Sequence, residues 1–138
     1  MSCDEFRLEP HLSEIPRLIE WVESRCAASG VAREVAMQLA LALEEAVANV
    51  INHGLPGLPP PHRVLVRLAI GGDAVSAEVV DNGRPFDPTA AAPPDLSRPL
   101  EERQPGGLGI PLIRGLMDRV AYRRVGNSNI LHLHKVLR

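Results

Sequence analysis

Residues 64–83 read VLVRLAIGGDAVSAEVVDNG. Val64 to Ile70 and Val75 to Val80 are two runs rich in β-branched residues, joined by Gly71-Gly72-Asp73. Apolar runs of strand length on either side of turn residues predict a β-hairpin. The same pattern returns at the end of the chain. There Ala121 to Arg124 and Ile130 to Val136 flank Gly126-Asn127-Ser128-Asn129, which predicts a second hairpin turning at those four residues. Upstream of the first hairpin the periodicity changes from two to helical. Val31, Val35, Leu39, Leu43, Val47, Val50 and Ile51 make one apolar stripe over Val31 to His53, widened by Ala36, Ala40, Ala42, Ala46 and Ala48. Small side chains on such a stripe let a helix lie close to a sheet.

Leu12 to Ala28 is a second predicted helix, with Ile15, Leu18, Ile19, Val22 and Cys26 at helical spacing and Gly30 past its end. Ser13 is the expected N-cap, and Pro16 is acceptable in a first turn. Cys3 to Glu9 suits a short edge strand, and Leu108 to Met117 a third helix. The order is strand, helix, helix, hairpin, long loop, helix, hairpin. Strands in adjacent pairs and helices with one apolar face give a two-layer α+β sandwich.

The 138 residues suit one domain spanning 1–138,. Fifteen basic and 17 acidic side chains leave a formal charge of −2, so a broad cationic footprint for nucleic acid is absent,. The longest unbroken apolar stretch, Leu39 to Leu43, is far short of the ~20 residues of a spanning helix,. With no apolar leader and only Cys3 and Cys26, a cytoplasmic protein with free thiols is expected,. The 13 prolines are clustered, four in 56–61 and six in 85–105. The second cluster falls in the long loop, and irregular loops of that length in small domains are often functional.

Three constellations carry chemistry. Glu45 and Asn49 lie one turn apart in Glu44-Glu45-Ala46-Val47-Ala48-Asn49, on one face of an otherwise apolar helix,. An amide oxygen suits magnesium, and a carboxylate beside it can accept a proton from an attacking hydroxyl. Asp81-Asn82-Gly83 ends a strand, where an aspartate can accept from an exocyclic amine and a glycine admits close backbone approach. Gly106-Gly107-Leu108-Gly109-Ile110-Pro111 opens a helix, whose first N–H groups favour anions. No GxxxxGK[ST] run occurs, which excludes the P-loop. Singly, each has a plain alternative: a solvated helix edge, a turn, a hinge.

Together, in this order and spacing, they resemble the GHKL ATP-binding superfamily, with its N box and two glycine boxes, from about residue 6 to 137. The finer resemblance is to the bacterial anti-sigma factor serine kinases. It is carried by residues 44–54, by Val80-Asp81-Asn82-Gly83-Arg84-Pro85-Phe86-Asp87-Pro88, by Leu100-Glu101-Glu102-Arg103, by Gly106-Gly107-Leu108-Gly109 and by Leu112-Ile113-Arg114-Gly115-Leu116-Met117-Asp118. The resemblance implies a Bergerat-type sandwich: a mixed, mostly antiparallel sheet under about three helices. It implies that Asn49 holds the magnesium of ATP, that Glu45 is the general base toward a substrate serine, and that Asp81 takes the adenine amino group. Gly83 would make room for the ring, while Gly106, Gly107 and Gly109 would cap the phosphates and hinge a lid over 83–106. It further implies a homodimer that sequesters a sigma factor and phosphorylates a STAS-domain antagonist. Pro111 departs from the bulkier residue common in this family.

Other features are weaker. Asn52 and His53 could line the phosphate side. His132 and His134 alternate on one strand face, a thin basis for a metal site. Arg114, Arg119, Arg123 and Arg124 could form a basic patch for an acidic partner. A different class of function, a catalytically silent module that controls a partner through bound ATP or ADP, uses the same glycines and asparagine. A histidine kinase fragment would need a phosphoacceptor hairpin upstream, and only about ten residues precede the first helix.

Overall fold

The computed structural model describes residues 2–87 and 109–137. The strands are β1 (Ser2–Leu8), β2 (Val64–Ile70), β3 (Ala74–Asp81), β4 (Arg119–Val125) and β5 (Ser128–Val136). The helices are α1 (Ile15–Ala28), α2 (Arg33–Asn49) and α3 (Gly109–Leu116). One sheet orders the strands β1-β2-β3-β5-β4, and all four pairings are antiparallel. Both hairpins form, and the sandwich is the expected α+β class. The sheet that was expected to be mixed is antiparallel at every pairing among the described residues.

Strand alternation decides what faces the helices. On β2 it is Val64, Val66, Leu68 and Ile70; on β3, Val75, Ala77, Val79 and Asp81. On β5, Leu131 and Leu133 meet them, and α1 and α2 supply Leu18, Val22, Leu39, Leu43 and Val47. Ala36, Ala40, Ala42 and Ala46 are buried with them, so the middle helix lies close to the sheet as its alanines predict.

Three local details differ from the sequence reading. Ser13 caps nothing: a short 3-10 turn (Leu12–Glu14) precedes α1, and no side-chain cap bond forms there. The Glu14 carboxylate ties that entry instead, accepting from the Glu9 N–H and the Arg17 guanidinium. The long helix does not run to His53. It ends at Asn49, and Val50–Gly54 is a wider π-type turn closed by Leu55 N–H on the Val50 carbonyl at 3.0 Å. Finally, the last turn is Gly126-Asn127 alone, with Gly126 at φ +58°, and Asn129 belongs inside β5.

The outer sheet face carries a charge ladder. Arg67 meets Glu5 and Glu78, and Glu78 also meets Arg123 and His132. Cys3 is exposed and Cys26 buried, both free. Among the described residues no helix is long and apolar enough to cross a membrane.

Candidate functional site

The end of β3 is built as a junction, and each residue of Asp81-Asn82-Gly83 has a separate task. Asp81 continues the in-phase row Val75, Ala77, Val79, so strand alternation drives a carboxylate into the core, at 5 % exposure. A buried carboxylate needs donors. Its Oδ1 accepts from the Gly83 N–H at 2.8 Å and from Asn129 Nδ2 at 3.0 Å. No described residue donates to Oδ2. Burial pushes the Asp81 carboxyl above the ordinary range, against the pull of Asn129, the Gly83 N–H and the Arg124 charge.

Asn82 clasps the proline-rich loop. Its Oδ1 accepts from Arg63 N–H at 2.7 Å, and its Nδ2 donates to the Pro61 carbonyl at 2.8 Å. Gly83 lets the chain lie against the end of the middle helix. A Cβ here would stand 2.8 Å from both the Gly54 carbonyl oxygen and Asp81 Oδ1. The Arg84 N–H then donates to that Gly54 carbonyl at 3.1 Å, and the Arg84 side chain donates to Pro56 O. Gly83 is thus required by the protein's own packing, before any ring is considered.

The helix side of the junction carries Glu45 and Asn49. They lie one turn apart, both half-buried. Among the described residues neither the Glu45 carboxylate nor the Asn49 amide has a hydrogen-bond partner. The π turn follows Asn49 directly and brings Gly54 onto Arg84. Helix residues and strand-end residues are therefore joined through five residues of backbone. Asn52 and His53 are exposed on that turn. Gly109 starts α3, while Gly106 and Gly107 lie outside the described residues, as does most of the loop expected to form a lid.

The buried acid has companions that sequence reading passed over. Register sets Asp81 opposite Asn129 on β5, and Asn129 opposite Arg124 on β4. Asn129 is 7 % exposed. Its Nδ2 also donates to the Arg84 carbonyl at 2.9 Å, and its Oδ1 accepts from Tyr122 at 2.6 Å and Arg124 at 3.1 Å. Arg124 also donates to the Gly83 carbonyl at 2.8 Å. The overlooked signal was phase: Asn129, Leu131 and Leu133 share one face of β5.

Two surface readings dissolve. Arg123 and Arg124 are consecutive on a strand and so point to opposite faces. One pairs with Glu78 outside, the other joins the Asp81 network, and the four arginines make no single patch. His132 and His134 stack with ring centroids 6.4 Å apart, but His132 faces Glu78 and His134 faces Ser76. Among the described residues no three His, Cys, Asp or Glu side chains could hold a metal ion.

The pH dependence follows from the raised Asp81. Its stability contribution is full below the unfolded value, near pH 4, and is lost as pH rises through the higher folded value. Asp81→Asn removes that titration. The stability of this variant minus that of the unliganded wild type is expected to grow with pH from about 4 upward, checked by urea unfolding across pH. A difference that does not vary with pH would contradict the raised carboxyl.

An antiparallel sheet under helices, with a buried acid at its end joined to a Glu–Asn helix, defines a domain of the histidine kinase ATPase type. The family model described as the histidine kinase-like ATPase domain matches residues 8–135. The chain is 33 % identical over 114 residues to the serine/threonine-protein kinase BtrW of Bordetella bronchiseptica, covering 82 % of this chain and 79 % of that one. It is 31 % identical over 118 residues to the serine-protein kinase RsbW of Listeria monocytogenes, covering 78 % and 74 %. The chain belongs to the histidine kinase-like ATPase domain family, and within it to the ATP-dependent protein serine/threonine kinases.

Solved structures agree on the fold. The crystal structure of the RsbU and RsbW domains of a Mycobacterium tuberculosis protein matches with a TM-score of 0.71 at 15 % identity. That match covers all of this chain and 33 % of the other. The histidine kinase domain of a blue-light activated histidine kinase from Erythrobacter litoralis matches with a TM-score of 0.58 at 16 % identity, over 91 % of this chain and 60 % of that one.

Proposed function

We propose that this protein is a cytoplasmic, homodimeric anti-sigma factor that sequesters a sigma factor and, with magnesium and ATP, phosphorylates a serine of a STAS-domain antagonist. The observation that carries the nucleotide part is Asp81. A carboxylate buried in the core, with one oxygen anchored and the other without a donor among the described residues, fits a base that brings an N–H of its own. The half-buried Asn49 amide, without a partner among the described residues, fits a hard cation that keeps few protein ligands and takes the rest from phosphate and water,.

In this reading Asp81 binds the adenine amino group and Asn49 holds the magnesium. Gly106, Gly107 and Gly109 would cap the phosphates, with no side chain to obstruct them. Bound magnesium-ATP supplies the γ-phosphoryl group and neutralises part of its charge. Glu45 accepts the proton of the serine hydroxyl as that oxygen attacks. The remaining work of the protein is to hold the two reactants in line. The sigma factor, the antagonist and the dimer rest on the resemblance of the sequence motifs and on the kinases to which the chain is related.

The test is stepwise. Magnesium-ATP at about a hundred times its dissociation constant is expected to raise the melting temperature on the order of 5–10 °C. Transfer of labelled γ-phosphate to a serine of a STAS-domain protein is then read by gel and mass spectrometry. No thermal shift at millimolar nucleotide removes the reading. A shift without transfer to any STAS partner leaves the silent regulatory module in its place.

A further inference from the structure

Asn129 has two N–H donors and one carbonyl acceptor. Its donors meet Asp81 Oδ1 at 3.0 Å and the Arg84 carbonyl at 2.9 Å. Its carbonyl meets the Tyr122 hydroxyl at 2.6 Å and Arg124 Nη1 at 3.1 Å. Rotating the amide by half a turn would set its oxygen against two acceptors and its NH2 against two donors. The surroundings therefore admit one orientation only, and that orientation anchors Oδ1 of Asp81, with the Gly83 N–H on the same oxygen. A free aspartate presents two equivalent oxygens; here Oδ2 is the one to which no described residue donates.

We propose that Asn129 is a positioning residue for base recognition, held by Tyr122 and Arg124, which turns Asp81 so that Oδ2 faces an adenine amino group. The proposal rests on the reading of Asp81 as the adenine acceptor. It deepens that reading by assigning base selectivity to a cross-strand row, Asp81–Asn129–Arg124, with the hydroxyl of Tyr122 as its latch. A hypoxanthine ring carries a carbonyl where adenine carries the amine, and a carboxylate oriented in this way repels it.

Isothermal titration with ADP and with inosine diphosphate tests it. The wild type is expected to prefer ADP by about a hundredfold, since a site built for a donor leaves buried groups unpaired with the analogue that lacks it. Asn129→Ala should weaken ADP by about tenfold and change inosine diphosphate by under about threefold, so the preference collapses. Tyr122→Phe keeps the ring and the strand and loses only the latch, and its preference should fall by a smaller factor. It serves if Asn129→Ala does not fold. A merely structural role would weaken both nucleotides equally. Equal weakening, or an unchanged ratio in Tyr122→Phe, overturns the proposal while adenine binding stands. Failure of the wild type to bind ADP at all overturns the nucleotide reading, and the proposal with it.

Discussion

Glu45→Gln is expected to slow serine phosphorylation by about 10²- to 10⁴-fold, the range of a positioned general base, while nucleotide still binds. Glutamine keeps the length and polarity of the side chain and removes its ability to accept a proton. Glu45 is half-buried on α2, one turn before Asn49, and no described residue donates to its carboxylate. Among the described residues nothing competes with a substrate hydroxyl for its oxygens. Because the side chain carries no described fold contact, the melting temperature should stay near that of the wild type. The decisive comparison is kcat for transfer to the proposed STAS-domain substrate beside the ADP dissociation constant. A drop in kcat with unchanged affinity marks an interaction made in the transition state. Equal rates for Glu45→Gln and wild type would remove Glu45 as the base, and loss of ADP binding would make it a ligand of the nucleotide.

Gly83→Ala is expected to cost about 1–3 kcal/mol, the range for forcing an extra methyl into a packed site. For a chain of this size that is a fall of roughly 3–10 °C in melting temperature. The new methyl would stand 2.8 Å from the Gly54 carbonyl oxygen and 3.0 Å from its carbon, which are backbone and cannot swing aside. It would also stand 2.8 Å from Asp81 Oδ1, the oxygen that Asn129 and the Gly83 N–H hold. Relief requires β3 and the π turn to part, which breaks the Arg84 bond to Gly54. If Asp81 holds the base as proposed, nucleotide affinity should fall with stability, because the same shift turns Asp81. Gly54→Ala is the control. Among the described residues a Cβ there meets only Val50 Cγ1, at 3.9 Å, so both quantities should be near wild type. A Gly83→Ala protein as stable as Gly54→Ala would contradict this packing of Gly83 on Gly54.

The elements were legible because their signals are local. The first hairpin announces itself by β-branched runs around Gly-Gly-Asp, the second by strand-length runs around Gly-Asn-Ser-Asn, and α2 by its Val-Leu-Leu-Val stripe. Boundaries were less legible. The helix stripe continues through Val50 and Ile51, yet α2 ends at Asn49, because the Gly54 carbonyl is wanted by Arg84, a partner 30 positions later in the chain. Ser13 looked like a cap, but Glu14 took the available donors from Glu9 and Arg17.

The candidate site divides along the same line. Glu45, Asn49, Asp81 and Gly83 stand out in the sequence because each is an unusual residue in a regular pattern. Asn129 does not stand out, since Gly-Asn-Ser-Asn is ordinary turn composition. Only pairing with β3 makes it a strand residue and places it on Asp81. Arg123 and Arg124 likewise looked equivalent until the strand sent them to opposite faces.

The sequence by itself determined the α+β class, the two hairpins, the close helix and the spacing of the candidate site residues, for these follow from periodicity and turn chemistry within short windows. The tertiary structure decided which residues surround the candidate acid. Asp81, Asn129 and Arg124 are separated by tens of positions and meet through antiparallel register. The cost of burying a carboxylate is met only by donors that the fold brings across the sheet.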